Sequence, residues 1–411
     1  MKLKGIKKLT GEIKVPGDKS ISHRSIIFGA ISQGETKIDN ILLSDDTLKT
    51  IQCFKDMGIE FDIDEENNRV NIKGKGLNGL REPKKPLDCG NSGTTMRLLA
   101  GLLVGQNFSS TLIGDSSLSK RPMDRIIIPL TKMGGNIKGA HNKYPPLEIE
   151  PSEKLNGITY ELPVASAQVK SAILLASIYS QGESKIIEKK VTRDHTERML
   201  DYFREKDFIG RQVYIPGDIS SAAYFIVAAS IIKDSSIVLK DIGVNPTRTG
   251  IIDVLKEMGA NIEVKNVRIV NNEPIGDIYV SYAPLKGISV DEGLIGRLID
   301  EIPILAVAAA FAEGTTTIRG AEELKFKESN RIEAIAKELS KMSVDISPLP
   351  DGLIIKGGNK LTPAKVNAHK DHRIAMALSI AALAIEGESE VIDSHWVNIS
   401  YPDFYDIIFT I

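Results

Sequence analysis

Cysteine is nearly missing from this sequence, aromatic residues are sparse, and neither sign of charge prevails. The two cysteines in 411 residues, Cys53 and Cys89, form no C-x-x-C pair. The sequence therefore predicts neither a disulfide framework nor a zinc site, and it suits a reducing compartment. Aromatics make up 5% of the chain, with Trp396 the single tryptophan, which argues against stacking platforms for single-stranded nucleic acid. A formal net charge of −2 supplies no basic field for nucleic acid or anionic membrane, so any anion site must be built locally. The most apolar runs, such as "PILAVAAAFA", are too short for a membrane span of about 20 residues. The N-terminal "MKLKGIKKLTGEIKV" alternates like a strand and lacks the apolar core of a signal peptide. These absences predict a soluble, cytoplasmic protein with neither nucleic acid nor membrane among its partners. Length points to two domains, because 411 residues exceed what one core usually supports.

What the chain does have is a repeat. A helix of small apolar residues, then a turn and a β-branched strand, recurs six times: "SISHRSIIFGAIS", "SGTTMRLLAGLLVG", "SAQVKSAILLASIYS", "ISSAAYFIVAASIIK", "DEIPILAVAAAFAE" and "DHRIAMALSIAALAIE". A second helix ends at "FKDMGIEFDI", "LTKMGGNIKG", "LKEMGANIEV" and "LSKMSVDISP", where in the first three glycine after the last periodic residue is a C-cap, and the following alternation is a strand. The unit is β-α-β-α followed by strands. Six copies split three and three predict a mixed α/β (α+β) chain of two similar domains, 17–217 and 1–16 plus 218–411.

Each first helix opens near a Ser, Asp or Asn: "PGDKS", "CGNSG", "PVASAQ", "PGDISS", "LIDE" and "AHKDH". N-caps prefer these residues for their own sake. Packed in parallel, however, six helices would aim six positive dipole ends and their free N–H groups at one region, a setting for anions. Cations gather at the same ends: Lys19 and Arg24 in "VPGDKSISHR", Arg97, Arg121, Arg125, Arg193, Lys327, Arg331 and Arg373. Any one of them alone reads as a solvated surface charge. Their coincidence with the repeat reads as a small polyanion site, since the arginine fork suits carboxylate and phosphate. Asp300, Glu328 and Asp371 are interleaved with them. Other chemistries lack their residues. "GNSGTT" has no lysine of a phosphate loop, there is no G-x-S-x-G elbow and no G-x-G-x-x-G after a strand, and His369 with His372 has no third ligand near it in sequence.

With these residues in hand, the chain resembles the 3-phosphoshikimate 1-carboxyvinyltransferase (5-enolpyruvylshikimate-3-phosphate synthase) family. "GDKSISHR", "GNSGTTMR", "RPMDR", "SAQVKSA", "TRDHTE", "GDISSAAYF", "DEIP", "KESNR", "KDHR" and "SYPDF" occur in the family's order along nearly the full length. The resemblance implies two domains of three βαβαββ units each with parallel helices, an inside-out α/β barrel, and an active site in the cleft between the domains. It implies transfer of the enolpyruvyl group of phosphoenolpyruvate to the 5-hydroxyl of shikimate 3-phosphate with release of phosphate, in the shikimate pathway to chorismate and the aromatic amino acids. It implies no cofactor, no metal and a monomer. By the family pattern Lys19, Ser20, Arg24, Ser166, Ala167, Gln168, Thr192, Asp300 and Lys327 meet shikimate 3-phosphate. Lys19, Asn91, Gly93, Arg121, Gln168, Arg331 and Arg373 meet phosphoenolpyruvate, where glyphosate competes in this family. Lys19, Asp300 and Glu328 carry the catalysis.

Two departures stand out. Ile399, just before "SYPDF", aligns with a position where the family commonly has a lysine. The third unit is also short: Phe203 to Ser220 spans 17 positions, whereas Met57 to Asn91 spans 34. One strand, "RQVYIPG", fits there and its partner does not. Either the domain lacks a strand, or residues between about Arg204 and Arg211 are missing from the chain as written, the alternative that the intact flanking strand and "GDISSAAYF" favour. Two rivals are weighed. A UDP-N-acetylglucosamine enolpyruvyl transferase usually has a cysteine in the loop near "RP" and a Lys-Asn pair at the first turn; here the loop has no cysteine and the turn reads Lys19-Ser20. A non-catalytic anion-binding homologue would not need Lys19, Asp300 and Glu328 together.

Overall fold

The computed structural model describes residues 1–410 and divides into two units. One comprises residues 17–215 and 270–273, the other residues 1–16, 216–269 and 274–411. Two strands, β1 (Lys2–Lys4) and β2 (Thr10–Ile13), open the chain. The first repeat runs α1 (Lys19–Ile31), β3 (Gln33–Asp39), α2 (Asp45–Asp56), β4 (Glu60–Asp64) and β5 (Arg69–Lys75). The second runs β6 (Leu87–Asp88), α3 (Gly93–Leu103), β7 (Ser110–Ile113), α4 (Asp124–Lys132), β8 (Asn136–Ala140) and β9 (Tyr144–Glu150). The third is β10 (Thr159–Glu161), α5 (Ala167–Ser177), β11 (Lys185–Ile187), α6 (His195–Arg204) and β12 (Gln212–Tyr214). In the other unit the fourth repeat runs α7 (Ile219–Ile231), β13 (Ser236–Gly243), α8 (Gly250–Glu257), β14 (Asn261–Val270) and β15 (Glu273–Ser281). The fifth is α9 (Ile295–Leu298), α10 (Ile302–Phe311), β16 (Gly314–Ile318), α11 (Arg331–Lys341), β17 (Asp345–Leu349) and β18 (Gly352–Gly357). The sixth is β19 (Lys365–Asn367), α12 (His372–Ala384), β20 (Glu388–Ile392) and α13 (Phe404–Thr410).

The small-residue helices are the inner layer. Every residue of α7 is buried, as are all but two of α1, so these helices have no solvent face to make polar. Their small side chains permit close approach: a Cβ on Gly101 of α3 would lie 2.3 Å from the Ala172 carbonyl oxygen of α5. The second helices are amphipathic and cover the outside. In α2 the buried set is Thr47, Thr50, Ile51, Cys53 and Phe54. Three of the second helices pass through Met57, Met133 and Met258 to left-handed Gly58, Gly134 and Gly259; after α11 the same backbone turn is made by Ser343, φ 69°.

Sheets flank the helices. In the 17–215 unit two are four-stranded, ordered β12-β3-β5-β4 and β6-β7-β9-β8, and the third has only β10 and β11, paired in parallel. The "RQVYIPG" strand is therefore not orphaned: β12 pairs in parallel with β3, Val213 opposite Ile38. The short link closes by hydrogen bonds, with Phe208 N–H donating to Phe203 O and Gln33 N–H to Phe208 O. No strand lies on β11 where β5 and β9 lie on their sister strands, among the described residues, and Ile187 there is exposed. In the other unit the orders are β14-β15-β13-β2, β16-β18-β17 and β1-β20-β19. The N-terminal stretch that alternates like one strand is thus two, β1 antiparallel to β20 and β2 parallel to β13. Both cysteines are buried and free. No helix is long and apolar enough to cross a membrane.

Candidate active site

In the 17–215 unit, α1, α3 and α5 bring their first turns together. Asp18 caps α1, accepting from Ile21 N–H at 2.8 Å; Ser92 caps α3 and Ser166 caps α5. Lys19, the first residue of α1, sends its Nζ 2.8 Å to Asp46 Oδ2. Arg24, one turn on and 4% exposed, donates to Ser20 O at 2.9 Å, to Ser171 Oγ of α5 at 2.8 Å and to Thr196 Oγ1 of α6 at 2.6 Å. Burial pulls its pKa down to about 10, with Glu197 and Asp18 pulling the other way. Burial likewise pushes His23 down to about 3, so that histidine is neutral and belongs to the packing beside Thr50.

A second network joins the remaining helix ends. Arg97 Nη1 donates to Gln168 Oε1 at 2.5 Å, and Gln168 Nε2 to Thr94 Oγ1 at 3.0 Å. Arg121 Nη2 lies 2.7 Å from Asn91 Oδ1, while Asn91 Nδ2 donates to Asp115 at 2.7 Å. Gly93 sits against these guanidiniums: a Cβ there would stand 2.8 Å from Arg97 Nη1 and 3.6 Å from Arg121 Nη1. Thr192 is held by Glu188, which accepts from its hydroxyl and, at 3.2 Å, from its N–H. Lys170, 3% exposed, anchors Glu188 at 3.0 Å.

The other unit gathers α7, α10 and α12 and, at the end of the loop carrying Lys327 and Glu328, the start of α11. Arg331, its first residue and 1% exposed, is clamped by three carboxylates. Its Nε donates to Asp371 at 2.8 Å, its Nη1 to Asp300 at 3.3 Å and its Nη2 to Glu328 at 2.5 Å. Burial opposes this charge, yet Asp371 and Glu328 outweigh it and hold the pKa above the ordinary arginine value. Burial also works against the Asp371 carboxylate, but Arg331 overcomes it and keeps that pKa below the usual range. Lys327 Nζ lies 3.2 Å from Asp300 Oδ1, and Arg373 Nη1 donates to the Asp300 carbonyl at 3.3 Å. Buried Glu301 stands 3.8 Å from Arg373 and accepts from Ser220 Oγ.

The sequence of the EPSP synthase (3-phosphoshikimate 1-carboxyvinyltransferase) family matches residues 3–408. The chain belongs to that family. A 3-phosphoshikimate 1-carboxyvinyltransferase of Thermoanaerobacter sp. (strain X514) is 50% identical over 97% of this chain and 96% of its own length. One of Bacillus cytotoxicus is 50% identical over 97% of each. Among solved structures, an EPSP synthase from Acinetobacter baumannii superposes with a TM-score of 0.89 at 44% identity, covering 99% of this chain and 97% of that one. The enolpyruvyl transferase NikO from Streptomyces tendae, at 16% identity and a TM-score of 0.79, covering 100% of this chain and 96% of that one, shares the fold.

Within this EPSP synthase family member the predicted residues fall into two sets. Lys19, Ser20, Arg24, Asn91, Gly93, Arg121, Ser166, Ala167, Gln168 and Thr192 lie in the 17–215 unit, at helix ends or in the loops beside them. Asp300, Lys327, Glu328, Arg331 and Arg373 lie in the other unit, where Asp300 joins Lys327, Arg331 and Arg373, and Arg331 in turn joins Glu328. Asp46, Glu188, Thr196 and Glu301, which orient these groups, carry no mark of that role in the sequence; "LLSDDT" offers a capping pattern, but nothing local marks Asp46 as the partner of Lys19. Ile399 ends a half-buried turn at 394–399, and the nearby cation Lys370, which could stand in for a lysine there, is exposed on left-handed backbone, φ 58°, just before α12. His369 meets Glu338 at 2.8 Å.

Proposed function

We propose that this chain transfers the enolpyruvyl group of phosphoenolpyruvate to the 5-hydroxyl of shikimate 3-phosphate, releasing phosphate, and works as a soluble cytoplasmic monomer. The family match over residues 3–408, with Lys19, Asp300 and Glu328 all present, carries the reading. Residues of both units take part. Ser166, the Ala167 backbone, Gln168 and Thr192 take the phosphate and ring of shikimate 3-phosphate, with Lys19, Ser20, Arg24 and Lys327 on its side and Lys19 also reaching phosphoenolpyruvate. Asn91, Gly93, Arg121, Arg331 and Arg373 take phosphoenolpyruvate, and Gln168 serves both substrates. Four anionic groups are thereby held against mutual repulsion by cations, among them the buried Arg24, Arg331 and Arg373, for which charge counts for more than in water.

Addition forms a bond from the 5-oxygen to the central carbon of phosphoenolpyruvate as a proton reaches its methylene carbon. Elimination then breaks the bond to phosphate and takes a proton back. Glu328 serves that carbon as acid and then base, while Asp300 and Lys19 orient the 5-hydroxyl and accept its proton. Glu328 accepts a hydrogen bond from Arg331 Nη2, and pairing with a guanidinium favours the carboxylate form of any such acid. When the substrate carboxylate takes up Arg331, that pairing loosens and Glu328 gains proton affinity where an acid is required. Phosphate release measured with both substrates, with each alone, and with UDP-N-acetylglucosamine as acceptor tests the reading. Release from shikimate 3-phosphate and phosphoenolpyruvate together, and from no other combination, is the expected result; release with the UDP-sugar, or none at all, would overturn it.

A further inference from the structure

The motif "TRDHTE" contains a buried titratable residue that the chemistry above does not use. His195, the first residue of α6, is 2% exposed, and its Nδ1 lies 2.7 Å from Oε1 of Glu273, itself 3% exposed. Glu273 is 78 positions away in the chain, at the tip of the β14–β15 hairpin. The strands of that hairpin belong to the 216–411 unit, but its tip, Val270–Glu273, belongs to the 17–215 unit. Asn271 and Asn272 make the turn with φ of 48° and 64°, the left-handed pair that closes a tight hairpin. The tip grips α6 and the end of β12. Arg198 Nη1 donates to Asn272 O at 2.8 Å, Asn272 Nδ2 reaches Arg198 O at 3.3 Å, and Asn271 Nδ2 donates to Tyr214 O at 2.7 Å.

What is gripped is the turn that serves shikimate 3-phosphate in the proposed function. Thr192 precedes α6 by three residues, and Thr196, next to His195, accepts from Arg24 Nε at 2.6 Å and lies 2.7 Å from Ser171 Oγ. We propose that Glu273 is a positioning residue for shikimate 3-phosphate: through His195 it fixes the first turn of α6, and with it the Thr192 loop and the Thr196 shelf on which Arg24 rests. The Glu273 carboxylate also adds to the field that opposes the loss of charge burial would impose on Arg24. The inference rests on the functional reading above, and the hairpin tip is a second way, besides the helix ends, of holding the binding groups still.

Steady-state kinetics of the full chain, varying each substrate in turn, test it. Glu273→Ala should raise the KM for shikimate 3-phosphate about tenfold, while kcat and the KM for phosphoenolpyruvate change by less than about threefold. Glu273→Gln, which keeps an oxygen for the His195 Nδ1–H, should return that KM to within about threefold of the unaltered chain. If Glu273→Ala does not fold, Glu273→Asp decides, its shorter arm leaving the KM raised about threefold or more. An unchanged KM in the folded variant, failure of the glutamine rescue, or a uniform loss of all three parameters that tracks the folded fraction overturns the proposal. No turnover in the unaltered chain would instead overturn the functional reading, and this proposal with it.

Discussion

The two units hold their arginines in opposite ways. In the 17–215 unit Arg24 and Arg121 are bonded by hydroxyls, amides and main-chain carbonyls, neutral groups that aim a guanidinium without cancelling its charge. In the 216–411 unit Arg331 is bonded by Asp300, Glu328 and Asp371, and Arg373 stands near Asp300 and Glu301. A guanidinium held by neutral partners keeps its full attraction for an incoming anion. One held by carboxylates must exchange partners to bind, and the exchange changes the proton affinity of the carboxylate released. In the proposed function the first arrangement serves binding and the second proton transfer, although the two units are built from the same repeat.

The largest expected effects test that division of labour. Glu328→Gln should lower kcat by at least about a hundredfold, and Asp300→Ala should lose most turnover too, while both still bind shikimate 3-phosphate. Turnover within about tenfold of the unaltered chain in either variant would erase the contrast. Ile399→Lys adds a cation to the carboxylate-rich half. A hydrogen bond to a charged group is worth about 1.5–3 kcal/mol, so the KM for phosphoenolpyruvate should fall about tenfold or more. No change in that KM would mean that Ile399 does not face the substrate. Gly93→Ala probes the neutral-partner half, since the added methyl needs space that Arg97 Nη1 occupies at 2.8 Å. The inhibition constant for glyphosate should rise several-fold more than the KM for phosphoenolpyruvate, and equal changes in both would refute the steric account.

The smallest expected effect is on acid stability, and it separates the units by pH. His23 has its folded pKa depressed from 6.5 to about 3, so between those values the unfolded chain takes up a proton that the folded one refuses. Stability of the 17–215 unit should fall as pH drops below about 6.5, by at most about 1.4 kcal/mol per pH unit from this group. Asp371 is also depressed, from 3.8, so its contribution to the other unit is complete above that value and is lost only as pH falls below it. Thermal melts between pH 7 and 5 should therefore shift for the 17–215 unit first, and His23→Gln should flatten that shift. Equal shifts for both units would count against burial of His23 as the cause.

Much of this was legible along the chain because it is local. Helix caps depend on residues two or three apart, which is why Asp18, Ser92, Ser166 and Asp371 stand where the turn patterns predict them. The fifth repeat is the exception. There "LIDE" enters α10 through a tight 3-10 turn at Ile299–Glu301, and Glu301 makes no side-chain cap because its carboxylate accepts from Ser220. The third repeat shows a different limit: its shortness was evident from the spacing, but that β12 completes the first repeat's sheet through β3 was not.

By itself, then, the sequence determined the sixfold repeat, the capped helix starts, the inventory of cations and carboxylates, and through its ten ordered motifs the family. Periodicity and capping act over a few residues and survive in a linear reading. The partners of those charges were decided only in three dimensions. Arg331 meets Asp371 across 40 positions, Arg24 meets Thr196 across 172, and His195 meets Glu273 across 78. Such pairs form because burial makes an unpaired charge or polar group costly, and which partner is within reach depends on how helices and hairpins pack rather than on their order in the chain.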